Sequence, residues 1–191
     1  MKIDQQKEKT AFLMAIEKNN IVLAQLLFDN PKIKPNVKHK VNYNSECTAL
    51  STAVEQSNYK ITQFLLSKEK IDPDTFFKID DKKCTALSMA FEKNNMKMAF
   101  ILCSKSDPNI KFIIKNTENT ALSMAIIKSD IPMIQLLLKR ENINPNMKLI
   151  YKCINRHSIK KEIEEKTALS IAIENENYDI IKLLLTCPKI D

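Results

Sequence analysis

The sequence contains no glycine and no tryptophan in 191 residues. An average chain is about 7% glycine, so the turns and helix ends that glycine normally serves must use other residues here. A glycine-rich phosphate loop is excluded outright. Histidine is scarce: His39 and His157 are the two, too far apart in the chain for a local motif and not expected to share a site. The five cysteines, Cys47, Cys84, Cys103, Cys153 and Cys187, show no C-x-x-C or other zinc spacing. No apolar run approaches the roughly 18 residues that cross a bilayer. The opening Met1-Lys2-Ile3-Asp4-Gln5-Gln6-Lys7-Glu8 lacks the apolar segment of a signal peptide. These absences, with an odd cysteine count, point to the reducing interior of a cell: cytoplasm, with the nucleus open.

Hydrophobic residues make up 44% and charged residues 28%, which fits neither a disordered nor a membrane-spanning chain. The net charge is +7. It comes from lysines spread along the chain, which either solubilise the surface or meet anionic partners. Asn, Lys and Ile stand throughout where other residues are usual, as codon bias in an AT-rich genome would produce.

One phrase recurs five times. It begins as Thr10-Ala11-Phe12-Leu13-Met14-Ala15-Ile16-Glu17, returns at Thr48, Thr85 and Thr120, and ends as Thr167-Ala168-Leu169-Ser170-Ile171-Ala172-Ile173-Glu174. The threonines are 38, 37, 35 and 47 residues apart, a period that marks a stacked-repeat protein. With threonine as position 0, position +2 is Phe12, Leu50, Leu87, Leu122 and Leu169. Position +5 is alanine every time: Ala15, Ala53, Ala90, Ala125 and Ala172. Position +6 is Ile16, Val54, Phe91, Ile126 and Ile173. These spacings put one apolar face on a short helix. The constant alanine predicts a close helix approach that a larger side chain would overpack.

A second, more apolar helix follows. Position +13 is Leu23, Ile61, Met98, Met133 and Ile180; position +16 is Leu26, Phe64, Ile101, Leu136 and Leu183; position +17 is always leucine. Cys103 takes a leucine position, +18, and reads as core. Between the helices lie Asn19-Asn20, Ser57-Asn58, Asn94-Asn95, Ser129-Asp130 and Glu176-Asn177. Without glycine, this polar pair is expected to end the first helix and cap the second. Pro132 falls in the first turn of a second helix, where its missing N–H costs little.

After the second helix comes Pro35-Asn36, Pro73-Asp74, Pro108-Asn109 or Pro145-Asn146, where proline stops the helix. A finger then leads to the next threonine. Phe76 to Ile79 and Ile110 to Ile114 have the content of short strands. The fourth finger, 147–166, is a long insertion carrying Lys148, Lys152, Arg156, His157, Lys160 and Lys161 against Glu162, Glu164 and Glu165. It reads equally as a functional loop and as a tolerated expansion.

Thr-Ala-Leu-Ser-x-Ala, followed by the second-helix leucine pair and the Pro-Asn step, resembles the ankyrin signature Thr-Pro-Leu-His-x-Ala. Five units in register carry the resemblance over nearly the whole chain, with repeats starting near Lys9, Cys47, Cys84, Asn119 and Lys166. Alanine replaces the signature proline. Serine replaces its histidine, except for Leu13 in the first copy. Position +6 is bulkier and the period longer, so the pattern is similar to divergent, AT-rich ankyrin arrays of protists. The resemblance implies a mainly α repeat solenoid, a single domain over 1–191, of helix-turn-helix units with hairpin-like fingers. With no signature histidine, the hydroxyls of Ser51, Ser88, Ser123 and Ser170 are expected to make a shorter version of the family's threonine–histidine relay between repeats. The first copy is expected to act as a cap, with Lys7, Glu8, Lys9 and Lys18 on its outer side. The last copy reads as uncapped, as if cut or continued.

The resemblance also implies a protein-binding scaffold, a monomer, with no catalysis, cofactor, metal or small-molecule substrate. Its binding side would be the finger tips and the exposed face of the first helix. At position +7 this gives Glu17, Glu55, Glu92, Ile127 and Glu174: an acidic row, interrupted once, that would read a basic or mixed-charge segment. Local neutralisation by Lys18, Lys93 and Lys128 is the competing reading. Positions −1 (Lys9, Cys47, Cys84, Asn119, Lys166) and −3 (including Ser45, Lys82, Thr117 and Glu164) are assigned to the finger-tip ends, and Lys82, Thr117 and Arg156 join the candidate site. The motif threonines and serines have no paired base, so they read as structural. Cys47 and Cys84 hold equivalent positions about 10 Å apart and are expected not to bond. The alternative function is electrostatic binding of nucleic acid or an anionic membrane surface through the lysine-rich fingers, 147–166 above all; Phe76, Phe77, Phe112 and Tyr151 are available for stacking. That reading predicts steep loss of binding with salt.

Overall fold

The computed structural model describes residues 10–80, 82–115, 117–154 and 161–191, with backbone alone for 152–154 and 161–163. Lys7, Glu8, Lys9, Arg156, His157 and Lys160, and the side chain of Cys153, lie outside the described residues. The chain forms two compact units, one ending at Lys105 and the other starting at Ser106.

Among the described residues the first unit holds three helix pairs and two hairpins. Its order is α1 (Ala11–Glu17), α2 (Ile21–Phe28), β1 (His39–Lys40), β2 (Glu46–Cys47), α3 (Ala49–Glu55), α4 (Tyr59–Leu66), β3 (Phe77–Ile79), β4 (Lys82–Cys84), α5 (Ala86–Glu92) and α6 (Met96–Cys103). The second unit runs β5 (Phe112–Ile114), β6 (Thr117–Asn119), α7 (Ala121–Ile127), α8 (Ile131–Leu138), β7 (Leu149–Ile154), β8 (Lys161–Lys166), α9 (Ala168–Glu174) and α10 (Tyr178–Leu185). Each hairpin is its own two-stranded antiparallel sheet.

Each first helix starts on its motif threonine. In four repeats the threonine and the serine three residues on form a reciprocal capping box. The serine hydroxyl is therefore spent within its own repeat, which corrects the expectation of a relay between repeats: one methylene is too short to reach further. Leu13 breaks the box in α1, where Thr10 Oγ1 still accepts from the Leu13 N–H at 3.3 Å and lies 3.4 Å from His39 Nε2.

The polar pair divides its work as expected. Asn19, Ser57, Asn94, Ser129 and Glu176 take left-handed φ values of 52 to 55°, the conformation glycine usually supplies at a helix end. Asn20, Asn58, Asn95, Asp130 and Asn177 cap the second helices, each accepting from a backbone N–H three residues on. Pro132 sits in the first turn of α8.

Within the first unit α1 packs on α3 and α3 on α5; within the second, α7 packs on α9. The alanine at +5 is fully buried in all five repeats. Phe28 of α2 packs against Phe12 and Phe64, with ring centroids at 5.8 and 6.1 Å, and Lys68 Nζ stands over the Phe28 and Phe64 rings. The repeat pattern is not uniform in burial. Leu23 and Leu26 of α2 are exposed, because among the described residues no helix pair precedes α1–α2. Ile173 of α9 and Leu185 of α10 are exposed for the mirror reason, since no described pair follows them.

Asparagine also links neighbouring repeats. Asn36 Nδ2 donates to Lys70 O at 2.8 Å, and its Oδ1 accepts from the Asp72 N–H at 3.0 Å. Asn109 does the same with Asn142 and Asn144, and Asn146 with Lys189 and Asp191. The Pro-Asn step is thus a clamp as well as a helix stop.

Candidate protein-binding surface

The capping threonine fixes where each seven-residue first helix begins, and so places position +7 as its last residue: Glu17, Glu55, Glu92, Ile127 and Glu174. Glutamate is a poor choice there. The carbonyl end of a helix carries partial negative charge and disfavours an anion by a few tenths to about 1 kcal/mol. Four of five repeats carry this cost, so local helix stability does not account for the residue.

In the first unit the packed helices α1, α3 and α5 bring Glu17, Glu55 and Glu92 into one row. Gln56 Nε2 donates to the Glu17 carbonyl oxygen at 3.0 Å. Lys93 Nζ reaches back to Glu55 Oε1 at 2.5 Å, so part of the row is neutralised by the neighbouring repeat. Glu92 is exposed, and its charge adds to burial, the larger cause, in pushing the Cys84 thiol pKa up.

In the second unit Ile127 is exposed and Glu174 is bound by Lys166 at 2.7 Å. Lys166 also meets Glu164 at 3.2 Å and stands over the Tyr151 ring at 5.2 Å. The hydrogen bond to Glu174 is the main cause holding the Lys166 ammonium above the usual lysine pKa, against a smaller opposing effect of burial. The buried Tyr151 hydroxyl has no hydrogen-bond partner among the described residues, and burial raises its pKa.

The hairpins revise the finger-tip assignment. Cys47, Cys84, Asn119 and Lys166 pair across strands with His39, Phe77, Phe112 and Leu149. They lie at the hairpin roots, next to the capping threonines, and Cys84 and Asn119 are buried. The reason is the direction of the second strand, which runs from the tip down into the helix N-cap. The Cys47 and Cys84 thiols are not bonded to each other. Lys82 is exposed near the tip of the β3–β4 hairpin. Thr117 serves its hairpin: its hydroxyl donates to Ile114 O at 2.8 Å and accepts from Asn119 Nδ2 at 3.1 Å. Arg156 lies outside the described residues. Of the aromatic residues offered for stacking, Phe77 and Phe112 are buried.

Two features escaped the sequence reading. Tyr43 is fully exposed at the tip of the β1–β2 hairpin; its flanking asparagines were the available signal. The adjacent Ser45 is tied to the next hairpin, its Oγ accepting from the Asp80 N–H at 3.1 Å.

Residues 1–77 match the family model for ankyrin repeats, in three copies. No curated protein matches the chain. The fold is similar to the crystal structure of the ankyrin repeat domain of Bcl-3, a unique member of the IkappaB protein family. The TM-score is 0.57 and the identity 19%, over 97% of this chain and 74% of that one. At that identity the likeness speaks for the fold. The first 77 residues thus match ankyrin repeats, and the chain as a whole has a mainly α repeat fold like that of an ankyrin repeat domain. Ankyrin repeats generally mediate protein–protein interaction. Among the described residues no helix is long and apolar enough to cross a membrane.

Proposed function

We propose that the chain is a non-catalytic scaffold inside the cell that binds a protein partner along the first-helix ends. Glu17, Glu55 and Glu92 supply the contacts in the first unit, Ile127 and Glu174 in the second. Lys82 and Thr117 on the hairpins belong to the same proposed site, as does Arg156, which lies outside the described residues. The observation that carries this reading is the recurrence of glutamate at the helix end its dipole disfavours. A side chain kept at a local cost in every repeat of the first unit suits a row that meets something outside the protein. The lysine pairing of Glu55 and Glu174 narrows the partner to a basic or mixed-charge segment able to exchange with those ammonium groups.

The test is a pull-down from nuclease-treated lysate at low and high salt, repeated with Glu55→Lys/Glu92→Lys. A discrete protein retained at high salt by the parent chain and lost by the variant supports the reading. Retention only of nucleic acid or acidic lipid, lost as salt rises, would replace it with binding through the lysine-rich fingers.

A further inference from the structure

Neighbouring repeats within each unit are joined by recurring side-chain contacts between their helix turns. The asparagine at +10 donates from Nδ2 to the side chain at +9 of the repeat before it. Asn58 reaches Asn19 Oδ1 at 2.7 Å, Asn95 reaches Ser57 Oγ at 3.1 Å and Asn177 reaches Ser129 Oγ at 3.3 Å. The residue at +8 can meet +7 of the repeat before it, as Lys93 meets Glu55. A tyrosine at +11 works in the other direction: the Tyr59 hydroxyl donates to Asn95 Oδ1, at +10 of the next repeat, at 3.2 Å.

The apolar positions divide the same way. Position +13 is buried as Ile61, Met98, Met133 and Ile180 but is 40% exposed as Leu23. Position +6 is buried as Ile16, Val54, Phe91 and Ile126 but is 55% exposed as Ile173.

The two outermost described helix pairs thus each carry one half of such a joint. On α1–α2, Lys18 and Asn20 are exposed, as are Val22, Leu23 and Leu26. Asn20 Oδ1 caps α2, and its Nδ2 has no partner among the described residues. On α9–α10, Glu174 and Glu176 are exposed, as are Ile173, Tyr178 and Leu185. The Tyr178 hydroxyl has no partner among the described residues.

The halves match in register. Tyr178 stands at +11, where Tyr59 stands, and Asn20 at +10, where Asn95 stands. Glu176 at +9 offers a carboxylate to the Asn20 amide. Lys18 at +8 and Glu174 at +7 repeat the types of the Lys93–Glu55 pair, with Glu174 shared by Lys166. An unrelated apolar partner would not need polar groups at these spacings; a further repeat of this chain would. We infer that a second copy docks head to tail, its α1–α2 pair stacking on α9–α10 as a following repeat would, with Asn20 and Leu23 on one side and Ile173, Glu176 and Tyr178 on the other. The two faces differ, so the contact is heterologous and propagates into rings or open filaments, in place of the monomer that the resemblance implies. Such docking rests on the joint between repeats and is independent of a partner on the glutamate row.

Sedimentation velocity of the full chain over a wide concentration range tests it. The parent should grow in mass with concentration beyond a dimer. Leu26→Lys blocks one face and Leu185→Lys the other; both replace exposed side chains, and each variant alone should weaken association about tenfold or more. Mixed one to one, the two variants should form a discrete dimer, because each keeps the face the other lacks. Tyr178→Phe, which removes only the hydroxyl, should weaken association about two- to tenfold. Glu55→Lys/Glu92→Lys should assemble as the parent does, which separates this contact from the proposed partner site. A parent that stays monomeric throughout would overturn the inference. So would a dimer that Leu26→Lys abolishes, Leu185→Lys spares and mixing fails to restore, since that pattern belongs to a symmetric contact.

Discussion

The Thr48 N–H donates to Ser51 Oγ at 2.8 Å, and the Ser51 N–H donates back to Thr48 Oγ1 at 3.0 Å, both bonds buried. Each hydroxyl satisfies the other residue's backbone donor at the start of α3. Thr48→Ala is expected to cost about 1–2 kcal/mol and Ser51→Ala about 1 kcal/mol. The double variant should cost clearly less than the sum, since either change already opens the box. Urea unfolding of the three variants checks this; strict additivity would mean the two bonds act independently.

Position +9 is strained in every repeat because the sequence has no glycine to place there. Glu176, at φ 52°, is exposed. Glu176→Gly should stabilise by up to about 1 kcal/mol: relief of the left-handed penalty, partly offset by the extra freedom glycine gives the unfolded chain. A lower urea midpoint for this variant would show that the strain costs less than supposed.

Ala90 is fully buried in α5, which packs on α3. Ala90→Leu should destabilise by about 1–3 kcal/mol through overpacking. Ala11→Leu makes the same change at an exposed position of α1 and should stay within about 0.5 kcal/mol. Equal losses at the two sites, read by thermal unfolding, would contradict a close approach at +5.

Lys166 titrates above the usual lysine pKa because of its bond to Glu174, with Glu164 adding to it. A folded-state pKa above the unfolded one means the ammonium's contribution is fully present below the unfolded pKa. It is lost as pH rises through the folded pKa. The stability gap between the parent and Lys166→Met should therefore be flat through neutral pH and close only in strongly alkaline solution. A gap that closes near neutrality would point to a different group.

Much of this fold is written in local spacing. The threonine cap, the Asn-type pair between helices, the buried alanine and the Pro132 turn are all set by residues within a few positions of one another, and local chemistry decides them. What the repeat pattern could not supply was context. Leu23 and Ile173 occupy core register but are exposed, because burial at +13 and +6 depends on the neighbouring pair rather than on the residue. The glutamate row was visible, but not its partial neutralisation: Lys93 pairs with Glu55 across 38 positions. Local neutralisation is seen at Glu55 and Glu174, while binding by the row is our proposal. The Ser45–Asp80 link, 35 positions apart, follows from two tips meeting in space. The clamp made by Asn36 was legible only as a turn, since its amide acts on the next repeat.

The most direct test of the interaction surface is the affinity of the retained partner for the parent chain and for Glu55→Lys/Glu92→Lys, measured by titration calorimetry with urea unfolding to confirm that both are equally folded. Loss of about tenfold or more, in two variants of equal stability, is the result this account predicts. An affinity unchanged by reversing both charges would contradict it and leave the glutamates as partners of Lys93 and its neighbours alone.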